Sequence, residues 1–218
     1  MERQLQARTR RSFVGAGIVT ALAACARSFD GSLPRNESIA NLRRVVTGRN
    51  PAGKAVVVQD GVSPRIVTTE TLPGLALVEV WATDKVPQLP IAPVDLTTTM
   101  KSFVPGPGGT RFRIVQFPGA SNRAFDQEAF RREYQAKAPG LAEAMELQDS
   151  GMHTTDSVDY GVVISGEITL ELDDGATVSL KQGDCVVQNC TRHGWRNGST
   201  TPCVMAFVLV GAALPNTR

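Results

Sequence analysis

The stretch Gly151-Met152-His153-Thr154-Thr155-Asp156-Ser157-Val158-Asp159-Tyr160, running on through an apolar segment to Gly166, decides how this chain is read. It holds one of only two histidines in the sequence. Alternate residues of a strand share a face, so His153, Thr155 and Asp159 are predicted to point one way and Tyr160 the other. The second histidine, His193, closes a later segment that opens with Gly183-Asp184 and is followed by Trp195 and Asn197.

Outward from these segments the chain breaks into short apolar runs divided by Gly, Pro and Asp. Strands are predicted over 55–59, 75–81, 112–117, 158–164, 168–172, 177–180, 185–188 and 204–210. Their turns are Asp60-Gly61, Pro73-Gly74, Asp174-Gly175 and Gln182-Gly183. Many short strands at such spacing indicate an all-β sandwich or barrel instead of βαβ units. Residues 122–146, rich in Ala, Glu, Gln and Arg, read as a helical insertion that Pro139-Gly140 divides in two. Residues 84–110, proline-rich and ending in Pro105-Gly106-Pro107-Gly108-Gly109, read as a long irregular connection.

The 218 residues, 42% hydrophobic and 20% charged, are enough for one sizeable core and exclude disorder over most of the chain. A net charge of +2 leaves no nucleic-acid footprint. No apolar run reaches the roughly 18–20 residues of a bilayer span. Residues 1–24 read as an export signal: a basic start is followed by a short apolar stretch from Phe13 to Ala24. Arg10-Arg11-Ser12-Phe13-Val14 resembles a twin-arginine signal, and Leu22-Ala23-Ala24-Cys25 resembles a lipoprotein box. The expectation is an exported protein, periplasmic or anchored to the membrane through a lipid on Cys25, and cytoplasmic if that signal is not one. Residues 26–45 read as a linker, and 46–218 as the folded domain. Cys185 and Cys203 lie in apolar runs and read as small buried hydrophobes. No C-x-x-C pair supports a thiolate zinc site.

Residues 151–166 and 183–197 together resemble the two motifs of the cupin superfamily. His153 takes the first His position, Asp159 the Glu position, and Gly166 follows after six residues; His193 takes the place of the last His. Thr155 stands where the motif has its second His, and Asn189 and Thr191 replace the usual proline and glycine. The chain is similar to a subgroup that includes fungal cupin-domain oxidoreductases. The resemblance implies a single jelly-roll barrel with an N-terminal strand extension and a short helical insertion, its core motifs spanning 151–210. It also implies a homodimer, and a divalent metal (iron, zinc, manganese or nickel) held by His153, Asp159 and His193. Two imidazoles and a carboxylate with open positions suit such metals and let them activate an oxygen substrate. The plain alternative is two histidines hydrogen-bonded in a barrel mouth.

Thr155 is a candidate for contact with a metal-bound water or with substrate. Arg113 is another: Arg111 and Arg113 share one strand face, which is either solvated or turned inward to grip a carboxylate. Trp195, Met205 and Phe207 are either pocket lining or core. Two functions follow. One is a metal-dependent enzyme on a small organic substrate, by oxidation, decarboxylation, dehydration or isomerisation. The other is a non-catalytic exported cupin that binds a small molecule.

Overall fold

A computed structural model describes residues 39–91, 94–121, 124–149 and 151–213. The expected export signal, Cys25 and most of the expected linker lie outside these residues. The described strands are β1 (Arg43–Arg49), β2 (Ala55–Val62), β3 (Ile66–Thr68), β4 (Ala76–Thr83), β5 (Thr110–Phe117), β6 (Ser157–Ser165), β7 (Glu167–Glu171), β8 (Thr177–Lys181), β9 (Cys185–Asn189), β10 (Gly194–Arg196) and β11 (Cys203–Gly211). Two helices, α1 (Gln127–Lys137) and α2 (Leu141–Ala144), fill the insertion. None of the described helices is long and apolar enough to cross a membrane.

Six strands form one antiparallel sheet in the order β3-β4-β5-β11-β6-β9, and three form a second in the order β10-β7-β8. Ile168, Leu170 and Leu180 from the small sheet share a core with Leu77, Val115, Val163 and Met205 from the large one. This is the all-β architecture the strand pattern indicated and the jelly roll the resemblance implied. The outer face of the large sheet is apolar too, and Ile39 packs there against Ala76, Val78, Ile114 and Val204. Residues 39–45, expected at the end of the linker, therefore contain a turn and the start of β1. That strand pairs only with β2, as a separate hairpin.

Local chemistry explains the breaks. Gly166 joins β6 to β7 at φ 78°, and a Cβ there would lie 2.6 Å from the carbonyl oxygen of Pro202. Only glycine fits both demands. Helix α1 starts where Asp126 accepts a hydrogen bond from the Ala129 amide at 2.9 Å. It stops at Ala138-Pro139-Gly140, because proline cannot donate within a helix and blocks its continuation. Tyr134 of α1 and Ala138 just after it, with Leu141 and Ala142 of α2, pack into the main core, and Phe130 packs against it.

Two cysteine expectations diverge. Cys203 is fully buried on central β11, whereas Cys185 is exposed on β9, because β9 is the edge of the large sheet.

Candidate functional site

Both histidines stand on one short piece of antiparallel pairing. The His153 amide donates to the His193 carbonyl at 2.8 Å, and the His193 amide donates back at 2.9 Å. Direct pairing sets the side chains opposite each other, with ring centroids 4.3 Å apart and planes tilted by 50°. Each Nδ1 lies against a carbonyl oxygen: Gly151 at 3.1 Å for His153, Thr191 at 2.8 Å for His193. A carbonyl only accepts, so both Nδ1 atoms carry the proton and both Nε2 atoms keep a lone pair.

Burial, and then the neighbouring His193, push the His153 imidazole down to about 4. Burial lowers His193 as well, while its Thr191 hydrogen bond and the nearby Asp159 pull it back up. Burial raises Asp159, against the hydrogen bond from Ser157 and the charge on His193. Both imidazoles are neutral at pH 7 as a result.

His153, Thr155, Asp159 and His193 all line one cavity of about 290 Å³. The predicted common face is borne out by this shared lining, although β6 begins only at Ser157 and residues 153–155 enter from an irregular segment. Asp159 is held from the side. The Ser157 hydroxyl donates to its Oδ1 at 2.5 Å, and the Thr155 hydroxyl lies 3.4 Å from its Oδ2. Ser157 was missed from sequence, although its even spacing from Asp159 put it on the same face.

The donor set does not fit the expected three-ligand metal centre as arranged. Among the described residues no three His, Cys, Asp or Glu side chains converge to hold an ion. The two Nε2 atoms are available, but the Asp159 carboxylate is engaged by hydroxyls.

The rest of the lining is mainly apolar and aromatic. Phe117, Trp195 and Phe207 come from the barrel, and Trp195 stands edge-on to His193 at 5.6 Å. Phe125, Phe130, Tyr134, Leu141 and Met145 come from the insertion. The helical insertion thus forms one wall of the cavity. Met205, by contrast, is core only.

Arg111 and Arg113 are not on a solvated face; both point inward and are buried. Arg111 is consumed structurally, donating to the carbonyls of Ser102, Thr83 and Thr110 and to Asp84. Arg113 lines the cavity, but its Nε lies 2.9 Å from Oε1 of Glu79 and its Nη2 donates to the Phe103 carbonyl. The expected grip on a substrate carboxylate is thus already supplied by Glu79, which pairs opposite Arg113 in register. Glu79 shares parity with Leu77, the signal that could have found it.

At the rim, Arg192 clasps the end of the insertion. It reaches Glu146 at 2.5 Å, Asp149 at 2.8 Å and Asp173 at 3.0 Å. Cys190 Sγ donates to the Ser157 carbonyl at 3.2 Å.

Comparison with known proteins agrees with this architecture. The Cupin domain family matches residues 144–210. The cupin-domain-containing oxidoreductase virC of Hypocrea virens is 30% identical over 174 residues, covering 77% of this chain and 74% of that protein. Phomopsin biosynthesis cluster protein C' of Diaporthe leptostromiformis is 39% identical over 122 residues, 50% of each chain, so this chain spans about half the length of that relative. An uncharacterized conserved protein with a double-stranded beta-helix domain from Klebsiella pneumoniae matches at 13% identity and TM-score 0.39, covering 68% of this chain and 84% of that one. With its motif pair, its jelly-roll sheets and a relative matched over most of its length, this chain belongs to the cupin family.

Proposed function

We propose that this chain is a cupin-type enzyme of small-molecule biosynthesis that moves a proton on a small, largely apolar, oxygen-bearing substrate. The observation that carries this reading is the pair of neutral imidazoles, each with a free Nε2 lone pair, on the wall of an aromatic cavity. A neutral imidazole in such surroundings accepts a proton from an acidic C–H or O–H of a bound molecule. His193 is the better base, because Asp159 stabilises its charged form. His153, held at about 4, stays neutral and accepts a hydrogen bond from the substrate. Thr155 contacts a substrate oxygen beside Asp159. Oxidation, decarboxylation, dehydration and isomerisation of an oxygenated molecule all include such a proton transfer. The names of the relatives, an oxidoreductase and a biosynthesis-cluster protein, support an enzyme. With only two converging nitrogens, no step is assigned to a metal.

The test is metabolite profiling of a producing strain lacking the gene and complemented with wild type, His153→Asn or His193→Asn. The reading expects one small molecule to accumulate in the deletion and in the His193→Asn strain, and to disappear with wild type. Full complementation by both variants would sink it. The second reading, a non-catalytic binding cupin, would then hold; the largely apolar lining favours it.

A further inference from the structure

The insertion contributes Phe125, Phe130, Tyr134, Leu141 and Met145 to the cavity, and Tyr134 alone among them carries a side-chain hydrogen-bond donor. Phe130 and Tyr134 lie one helical turn apart on the same face of α1, and their rings stack at 5.1 Å. That face is turned to the barrel, since Tyr134 belongs to the main core and is 4% exposed. No described residue gives its hydroxyl a hydrogen bond. Nor is that oxygen sealed in, as those of Glu79 are; it meets open space, and in a side chain so buried the space is the cavity it lines. The phenol lies within the field of Arg113, which lines the same cavity from β5. Burial holds it well above the usual phenol range, so it keeps its proton at neutral pH and donates.

Buried polar groups are almost always satisfied, so an unbonded phenol on a cavity wall marks a place where an acceptor is received. The two imidazoles, on the barrel side of the same cavity, offer the opposite chemistry, because each Nε2 keeps a lone pair. An occupant that satisfies both sides carries an acidic hydrogen at one point and an oxygen acceptor at another. A carboxylate is unsuitable, since the arginines lining the cavity are already paired, Arg113 with Glu79 and Arg196 with Glu171. An ether accepts from Tyr134 but gains no charge when the hydrogen leaves. A carbonyl does both. As the C–H bond next to it breaks, that electron pair forms a C=C bond and the C=O π pair moves onto oxygen, while the proton passes to Nε2 of His193. A buried donor at that oxygen stabilises the charge that builds there.

We propose that the Tyr134 hydroxyl donates to the carbonyl oxygen of a neutral substrate and stabilises the charge formed there when His193 takes a proton from the adjacent carbon. This inference rests on the proton transfer proposed above. It narrows the substrate to an uncharged carbonyl compound with a hydrogen on the neighbouring carbon.

The test uses the full chain with 2-acetylnaphthalene, which has the carbonyl, and 2-isopropylnaphthalene, which keeps the shape without the acceptor. Tyr134→Phe deletes only an unbonded hydroxyl and should fold normally. In isothermal titration it should weaken 2-acetylnaphthalene about fivefold, the size of one neutral hydrogen bond, and leave 2-isopropylnaphthalene unchanged. Infrared difference spectra of the bound ketone read the bond directly: its C=O stretch should lie at lower wavenumber in wild type than in Tyr134→Phe, a shift that a structural role of the ring would not produce. Proton NMR in heavy water should show the acetyl hydrogens exchanging about a hundredfold faster with wild type than with Tyr134→Phe. Equal weakening of both probes, one C=O stretch in both proteins, or equal exchange rates overturns the role of Tyr134 and leaves the proton-transfer reading standing. Exchange that persists undiminished in His193→Asn overturns that reading and this inference with it, as does failure of wild type to bind either probe.

Discussion

Acidification should unfold this protein through His153, and the size of the effect follows from its surroundings. The imidazole is held at about 4 in the folded chain by burial and by His193, against about 6.5 in an unfolded one. Between those values the unfolded state binds a proton that the folded state refuses, so stability falls as pH falls through this window. A lowering of that size costs about 3 kcal/mol by pH ~4, with nothing lost above pH ~7. His193 is lowered too and acts in the same sense, whereas raised Asp159 gains stability on acidification. The comparison variant removes these common contributions. His153→Asn keeps a donor for the Gly151 carbonyl but cannot titrate. Urea denaturation of both proteins at pH 7, 6, 5 and 4 should give a difference that shrinks steadily toward acid, as wild type loses its advantage. Parallel curves across that range would refute the buried, neutral imidazole.

Removing one half of the buried Glu79–Arg113 pair should be costly: Glu79→Ala should destabilise by about 3–5 kcal/mol in denaturation, and Glu79→Leu with Arg113→Met together should recover most of it. A cost below about 1 kcal/mol would mean that the pair is solvated. Gly161→Ala places a Cβ 2.8 Å from Val186 and 3.0 Å from the Phe207 ring. It should cost about 1–3 kcal/mol in thermal or urea unfolding and push Phe207 toward the cavity; unchanged stability would show that the ring has room to move. Because Asp159 does not converge with the two imidazoles, Asp159→Asn should leave zinc retention after dialysis unchanged, read by elemental analysis. Thr155→His adds a third imidazole to the cavity wall and should raise retention; a drop in Asp159→Asn would place the carboxylate in a metal centre after all.

The strands and histidines were legible because their signals are local. Alternating side chains and Gly-Asp punctuation marked β6 to β9 and β11 within a residue or two, and both histidines sat in segments of known spacing. The first strand, opening with Arg43-Arg44, was not legible. Its inward face begins with an arginine, Arg44, buried by its bonds to the Val80 carbonyl and Asp95, while Val45 is exposed, so burial does not follow the apolar residues there. Glu79 and Arg113 needed knowledge of which strands lie side by side. Each looks like a surface charge until the other is placed opposite. Likewise the aromatic residues of α1 had an amphipathic face but nothing in the sequence to say what it covers.

The origin of the cavity wall bears on how such a protein diversifies. The two histidines sit on the jelly-roll segments, while Phe130, Tyr134 and Leu141 belong to an insertion tied down at its far end by Arg192, next door in sequence to His193. Replacement of residues within 127–144 alters the shape offered to a ligand without moving either imidazole. Under the proposed function, selection can therefore retune what is recognised while the two imidazoles are inherited unchanged.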